Sequence, residues 1–386
     1  MHDVLKALAD KSQRLIAGVM SGTSFDGVDV AFVEVSGFGE SVETNLKWFR
    51  TMPFDEGIKT DLLANSAKNG GSVADICRLN KHLGVLIGEA VVTAARMGKI
   101  DMRQVDFVAS HGLTLYHMPE ISATMQIGEL ADIAAVTGKI VVGDFRPSDT
   151  AHDGQGAPLV PYADYVLYRS KTANRVLFNV GGIGNVTILP ANCAARDVLA
   201  FDTGPGNVLM DNLVRLWTGG TKHFDDNGSM AQKGRQITEL AEYLINIDSF
   251  IPVAPPKSTG RELYTMAMAE NVMRRGKELG LPFADILATT ANHTAYALHY
   301  ALTNFVDTEP DEILITGGGA KNACLLERLR GHYPSRIKTI ESDASDAKEA
   351  VAFAILGNEF IAGRPNNLPS ATGARRPVIM GKLVLP

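Results

Sequence analysis

Hydrophobic runs and polar punctuation alternate along the chain in lengths that predict strands first and helices later. Arg14–Met20 (RLIAGVM) has the length and composition of a buried strand, and it ends in the turn Ser21-Gly22-Thr23-Ser24. Val28–Val35 (VDVAFVEV) follows as a second strand rich in β-branched residues, close enough to the first to pair with it as an antiparallel hairpin. Val73–Met97 keeps helical spacing throughout. Phe107–Ser110 is a short strand that delivers His111-Gly112-Leu113-Thr114 at its carboxyl end. Leu130–Thr137 reads as helix and Lys139–Gly143 as strand.

The glycine- and proline-rich passage Asp153–Pro161 (DGQGAPLVP) reads as a crossover between two lobes. A second set of strands follows at Arg175–Val180, Val186–Leu189 and Val198–Phe201. Helices are then expected at Val208–Trp217, Met230–Ile247, Leu263–Leu279 and Asp285–Phe305. The strand Glu312–Thr316 runs into three glycines, and a last amphipathic helix covers Lys348–Ile361. Each half thus opens with strands joined by a glycine turn and closes in helices. The expectation is an α/β chain of two lobes, residues 1–147 and 148–386, with the C-terminal tail allowed to pack back on the first lobe. Ligands in such folds bind at the carboxyl ends of strands, here in a cleft lined by glycine turns.

The 386 residues suit two cores, since single cores tend to split beyond about 250–300 residues. A net charge of -6 gives no basic footprint, so nucleic acid is not the expected partner, and a polyanionic ligand must be held by local features. Three cysteines, Cys77, Cys193 and Cys324, lie far apart without metal-ligand spacing, which argues against structural zinc and fits a reducing compartment. The N-terminal stretch lacks an apolar signal core, and no apolar run is long enough to span a bilayer. The cytoplasm, with no membrane partner, is the expected location.

Four glycine-containing segments follow predicted strands: Met20–Gly27, Asn179–Asn185, Asp202–Asn207 and Thr316–Ala320. Glycine lets a backbone approach phosphate, and successive N–H groups form anion-binding nests. Any one such turn is most simply a hairpin. No GxxxxGK[ST] and no complete GxGxxG occurs, which disfavours P-loop and dinucleotide folds. Four together describe a nucleotide held by loops from both lobes, with Asp26 and Asp29 as candidates to orient Mg²⁺ through waters.

Asp202, after the strand Val198–Phe201 and before a rigid TGPGN loop, is the candidate general base; the alternative is that it only accepts hydrogen bonds from its own turn. Arg146, within Asp144–Asp149, is suited either to gripping a substrate carboxylate or to an interlobe salt bridge. Lys257–Glu262 reads either as an N-capped helix start, with Ser258 or Thr259 as cap, or as a polar loop at the mouth of a nucleotide site. His111 and His117 lack a third ligand, so no metal site is expected of them; His111 is read as fixing loop geometry or donating to substrate. Glu349 opens the last helix, where an acid complements the helix dipole.

Together the segments resemble the anhydro-N-acetylmuramic acid kinase family. The matching residues are GVMSGTSFDGVDV from Gly18, SHGLT from Ser110, QIGE from Gln126, VVGDFRPSD from Val141 and GQGAPLVP from Gly154. They continue with NVGGIGNV from Asn179, FDTGPGNVLMD from Phe201, PPKSTGRE from Pro255, GGGAKN from Gly317 and EAVAFAIL from Glu349. The resemblance implies the actin-like ATPase fold shared with hexokinase and Hsp70 chaperones, with two lobes around a nucleotide cleft. It implies a homodimer that uses ATP, Mg²⁺ and water to convert 1,6-anhydro-N-acetylmuramic acid to N-acetylmuramic acid 6-phosphate in peptidoglycan recycling.

Carried over position by position, the resemblance makes Asp202 the catalytic aspartate. Gly22, Thr23, Ser24, Phe25, Asp26, Gly27, Val28 and Asp29 form the first phosphate loop. Gly181 and Gly182 belong to the second, and Gly317, Gly318 and Gly319 face the nucleotide. Thr114, Arg146 and Glu349 lie near the sugar. Two departures fall on the presumed sugar side: Leu113 stands where the family often has Gln, and His152-Asp153 where it often has two small residues. The rival readings are a levoglucosan-type kinase, acting on a bridged sugar without the lactyl and acetamido groups, and an actin-like regulatory protein without catalysis. The presence of Asp202 argues against the latter.

Overall fold

The chain pairs its strands into two separate mixed sheets, each with its own core. In this computed structural model all residues are described except Met1, Thr23, Ser24, 67–69, Arg261 and Glu341, and for residues 2, 3, 342 and 343 only the backbone is described. The strands, in chain order, are β1 Gln13–Ser21, β2 Gly27–Ser36, β3 Glu43–Pro53, β4 Phe107–Met118, β5 Ala123–Ile127, β6 Ile140–Gly143, β7 Arg175–Val180, β8 Ile183–Leu189, β9 Leu199–Pro205, β10 Glu312–Thr316, β11 Ile337–Thr339 and β12 Lys382–Val384. Two units follow from the contacts: Met1–Tyr168 with Ser342–Pro386, and Arg169–Glu341. The boundary expected after residue 147 therefore differs from the structure. The passage Asp153–Pro161 lies inside the first unit, where Gly156 N–H donates to the Asp149 carboxylate (2.9 Å) and Gln155 N–H to Thr372 O (2.8 Å).

In the first unit the sheet order is β12-β6-β4-β1-β2-β3, with β5 added to β4. The predicted hairpin is present: β1 and β2 pair antiparallel from Gln13↔Ser36 to Met20↔Asp29. The strands β1, β4 and β6 run parallel, as long crossover connections require. Side chains alternate across β1. Ala17 and Val19 join a core with Leu79, Leu83, Ile87 and Val91 of the helix Val73–Met97. On the other face lies the helix Lys348–Ile361, whose backbone approaches so closely that a Cβ on Gly18 would stand 2.0 Å from Ala350 O.

The second unit orders its sheet β11-β10-β7-β8-β9, with β7, β10 and β11 parallel and β8 antiparallel to both neighbours. Each unit thus carries three antiparallel strands in sequence, then parallel strands added beside the first. This duplicated α/β topology is the actin-like ATPase fold.

Several elements differ from the sequence pattern. Residues 43–53 and 56–66 form a strand and a helix that no clear period announces. The strand β4 continues past Ser110 to Met118 because it pairs with β5 as a hairpin. The expected helix Met230–Ile247 is broken: a short turn at Ala231–Lys233 precedes a helix from Thr238 to Ile247. Gly234 between them presses against the helix Phe283–Phe305, where a Cβ would meet Ala284 O at 2.0 Å. The next helix starts at Met266, capped by Thr265, not at Leu263.

The tight contact at Gly18 yields an expected outcome. Gly18→Ala forces a methyl group into the Ala350 carbonyl, and overpacking of this kind costs about 1–3 kcal/mol or more. Urea unfolding should show a lower midpoint for Gly18→Ala than for the parent chain; an unchanged midpoint refutes the close packing.

Candidate active site

Three of the four glycine segments meet at one edge of the second sheet, at the carboxyl ends of β7, β9 and β10. Backbone hydrogen bonds join them: Asn207 N–H donates to Gly181 O (2.8 Å), and Gly206 and Val208 N–H donate to Gly182 O (2.9 and 3.1 Å). Asn207 Nδ2 donates to Val180 O (3.2 Å), and Thr294 Oγ1 donates to Gly206 O (2.9 Å).

The glycines divide by physical cause. Gly206 and Gly319 are small for packing, since a Cβ would stand 2.3 Å from Gly181 O and from Val180 Cγ1 respectively. Gly317 holds φ +77°, a left-handed backbone that favours glycine. Gly181 and Gly318 have no such need: a Cβ there would meet nothing nearer than 3.8 and 3.6 Å. Their bare backbones leave open space at the ends of the strands.

Asp202 stands beside these loops. It does not end its strand, as its sequence position suggested, but lies within β9, which runs on to Pro205. Opposite it the register shifts, so that Gly184 pairs with Gly204 and Asn185 with Asp202. Thr203 is the extra residue of this bulge, and its hydroxyl donates to Gly184 O (3.0 Å). Bulges commonly re-aim a side chain next to a functional centre. The segment read either as a helix cap or as a polar loop at the mouth of a nucleotide site clamps the carboxylate: Ser258 Oγ and Thr259 N–H both donate to Asp202 Oδ2 (3.0 and 2.8 Å). Asp202 Oδ1 has no protein partner among the described residues. Desolvation pushes this carboxyl above the usual range, against the pull of its Thr259 and Ser258 hydrogen bonds and the Lys257 charge.

In the first unit the remaining candidates gather at the carboxyl ends of β1, β4 and β6. Of the first glycine loop, Thr23 and Ser24 lie outside the described residues. Phe25 and Val28 are buried in the core, so only their backbones can serve a ligand. Gly27 is small because Met52 O lies 2.3 Å from where its Cβ would be. Phe25 N–H donates to Gly22 O (3.1 Å), closing the turn. Asp26 is exposed, and Asp29 is half-buried and accepts from Thr51 Oγ1 (2.5 Å). Desolvation raises the Asp29 carboxyl, the Thr51 hydrogen bond opposes it, and the charges of Asp346 and Asp26 add to the rise.

Arg146 is ordered by His111. Its Nε donates to His111 Nε2 (2.9 Å) and its Nη1 to Gly156 O (2.5 Å). The other imidazole nitrogen, Nδ1, faces Gly112 O at 3.1 Å, which fixes the neutral Nδ1–H tautomer. Burial and the Arg146 charge hold the His111 pKa well below its ordinary value, in agreement. Desolvation brings Arg146 down to about 10, which leaves it charged at neutral pH. No carboxylate lies within ion-pair distance of it among the described residues, so the salt bridge considered from sequence is absent there.

Thr114 Oγ1 accepts from Gln126 Nε2 (3.2 Å). Glu349 is exposed to solvent yet surrounded by protein atoms; that crowding, then the Asp29 charge, raises its carboxyl, against Lys348 and Arg146. Its neighbour Lys348 pairs with Asp164 at 2.9 Å, both buried.

The two departures have structural reasons. Leu113 is fully buried in the core with Ile127, so its side chain serves packing. His152 Nε2 accepts from Arg376 Nη2 (2.9 Å) and Asp153 pairs with Arg375, so both residues hold the C-terminal segment. The clamp from Ser258 and Thr259 and the His111–Arg146 bond were not foreseen in these roles, although both motifs stood out in the sequence.

Comparison with known proteins bears on the whole chain. The family model described as anhydro-N-acetylmuramic acid kinase matches residues 13–386. An anhydro-N-acetylmuramic acid kinase of Caldanaerobacter subterraneus subsp. tengcongensis is 41% identical, covering 99% of this chain and 100% of that protein. One of Bacillus cereus is 41% identical, covering 96% of this chain and 97% of that protein. Among solved structures, the activator of the 2-hydroxyisocaproyl-CoA dehydratase from Clostridium difficile is 12% identical with a TM-score of 0.46, over 90% of this chain and 96% of that one. With a full-length family match and relatives of this identity, the chain belongs to the anhydro-N-acetylmuramic acid kinase family.

Proposed function

We propose that this chain is an ATP-dependent kinase that opens the 1,6-anhydro bridge of 1,6-anhydro-N-acetylmuramic acid with water and phosphorylates O6, giving N-acetylmuramic acid 6-phosphate and ADP in peptidoglycan recycling. Family membership supports the reaction. The observation that carries the chemistry is the Asp202 carboxylate, held through Oδ2 by two donors and with Oδ1 unpaired among the described residues, beside bare glycine backbones.

Asp202 takes a proton from the water that attacks C1, and its raised pKa strengthens it as a base. The C1–O6 bond breaks and its electron pair goes to O6. That oxygen attacks the γ-phosphorus, and the bond to the bridging oxygen breaks with its electrons leaving on ADP. One base suffices because O6 takes a phosphoryl group where a glycosidase would supply a proton. Gly181, Gly182 and Gly317–Gly319 are proposed to hold the phosphates by backbone N–H groups, and the Gly22–Asp29 loop is a second candidate for that role. Asp26 and Asp29 are the residues that would hold a Mg²⁺ through waters, and such an ion would supply positive charge to the phosphates. Arg146, charged and without a carboxylate within ion-pair distance among the described residues, is suited to the lactyl carboxylate, which favours the muramic sugar over levoglucosan. Thr114 and Glu349 orient the sugar. The enzyme is proposed to act in the cytoplasm as a homodimer.

Asp202→Asn should lower kcat by about 10²–10⁴-fold while ATP affinity measured by calorimetry stays near that of the parent. Full activity in the variant rules Asp202 out as base. Arg146→Ala should lower kcat/KM for the muramic substrate by about tenfold or more and change levoglucosan turnover far less. Equal losses on both sugars assign Arg146 to structure alone.

The stereochemistry is also fixed by this scheme. The bridge occupies the β face at C1, so an in-line water arrives from the α face and the first product is the α anomer. In ¹⁸O water the label should enter at C1 and be absent from the phosphate group. Rapid NMR and mass spectrometry read both. A first-formed β anomer, or heavy oxygen on phosphorus, refutes the concerted scheme.

A further inference from the structure

Behind Asp202 lies a buried set of charged side chains that the proposed reaction does not use. Lys257 is only 8% exposed. Its ammonium donates to the carbonyls of Phe250 (3.2 Å) and Ile251 (2.8 Å) and lies over the rings of Phe250, Phe305 and Phe201 at 4.7, 5.3 and 6.0 Å. The turn it grips is held in its own right: Phe250 and Ile251 N–H donate to Asp248 Oδ1 (3.1 and 3.4 Å). Asp248, 4% exposed, is fixed by His293 Nε2–H at 2.9 Å and by the Tyr264 hydroxyl at 3.2 Å. A buried carboxylate just past a helix end, as Asp248 is after Thr238–Ile247, meets the negative pole of that helix and needs nearby cations or donors.

At the other end of Lys257, its own carbonyl accepts from Asp202 N–H (3.2 Å), and the next two residues clamp Asp202 Oδ2. The chain of contacts therefore runs without a gap from His293 through Asp248, the 250–251 turn and Lys257 to Asp202. We propose that Lys257 is the positioning residue of the reaction: its buried ammonium docks the Ser258–Thr259 clamp on the Asp248 turn and so holds Asp202 in place. This rests on the reading of Asp202 as the base.

The groups facing this centre are Asp202, Asp248, His293, Tyr264 and Glu262. The Asp248 and Asp202 charges pull the Lys257 pKa up, but desolvation outweighs them and brings it to about 8. Desolvation raises the Asp202 carboxyl, the Thr259 and Ser258 hydrogen bonds and then the Lys257 charge lower it, and Glu262 raises it. Loss of the ammonium frees the Thr259 and Ser258 clamp and removes a nearby positive charge; both changes raise the Asp202 pKa, so the carboxylate form, which is the active one, is lost at a higher pH as pH falls.

The test compares the parent chain with Lys257→Met, Lys257→Arg and Lys257→Gln, the last keeping a donor without charge. Lys257→Met should lower kcat by about 10–100-fold with the ATP KM within about threefold, as a small misplacement of a reacting group does. Its acid limb in kcat/KM against pH should move up by about half a unit or more, while Lys257→Arg keeps the limb near that of the parent. The Asp202 titration is read independently by ¹³C NMR on aspartate-labelled protein, assigned with Asp202→Asn. If Lys257→Met does not fold, Lys257→Gln decides by the same readouts. An unmoved Asp202 titration in the uncharged variants, or an equal shift in Lys257→Arg, overturns the proposal. Parent protein that fails to turn over the anhydrosugar counts against the proposed reaction alone, because the carboxyl titration still decides the role of Lys257.

Discussion

The architecture depends on one close approach, that of the helix Lys348–Ile361 to the first strand at Gly18. A backbone carbonyl occupies the place a Cβ would take, so no residue but glycine keeps this spacing without displacement. Through it the C-terminal helix becomes the cover of the first sheet, and Glu349 comes to the end of β1 beside Asp29. Buried polar contacts fasten the rest of that region. Asp149, fully buried, accepts from Gly156 N–H on one oxygen and from Asn367 Nδ2 and Thr372 Oγ1 on the other. A buried carboxylate with three donors is satisfied, and removing any partner leaves an expensive group behind. The same loop supplies the Gly156 carbonyl that holds Arg146.

In each unit the electrostatic character of the candidate residues follows from how the acids are held. Asp202, Asp29 and Glu349 are each pushed upward by desolvation, and each is opposed by a different partner: backbone and hydroxyl donors, a threonine, and a lysine with an arginine. Arg146, in the first unit, is oriented by a neutral imidazole, not by a carboxylate. An imidazole acceptor fixes the guanidinium without consuming its charge, which keeps it available to an anion.

Much of this was legible in the sequence because the informative residues are backbone-determined. The run RLIAGVM and the hairpin after it, the helix Val73–Met97 and the helix Lys348–Ile361 all follow from apolar spacing. Glycine loops announced themselves at strand ends. The unit boundary did not, because DGQGAPLVP has the composition of a linker while its backbone is tied to Asp149 and Thr372, contacts more than two hundred residues apart for the latter. The break before Thr238 was equally hidden, since it is imposed by Ala284 on a separate helix. Leu113 was read against a sugar contact, yet its side chain lies in the core. The Asp202 clamp was missed because SerThrGly before a helix reads as a cap, and only tertiary pairing shows which acceptor it meets.

The discontinuity of the first unit sets an order of assembly on the ribosome. Residues 169–341 are contiguous and can close their own sheet and cores as soon as they emerge. The first unit is synthesised earlier but lacks the cover of β1, the edge strand β12 and the partners of Asp149 until residues 342–386 are made. Its exposed sheet face must therefore persist through the synthesis of the second unit, which makes the oldest part of the nascent chain the last to mature and the part most in need of chaperone protection.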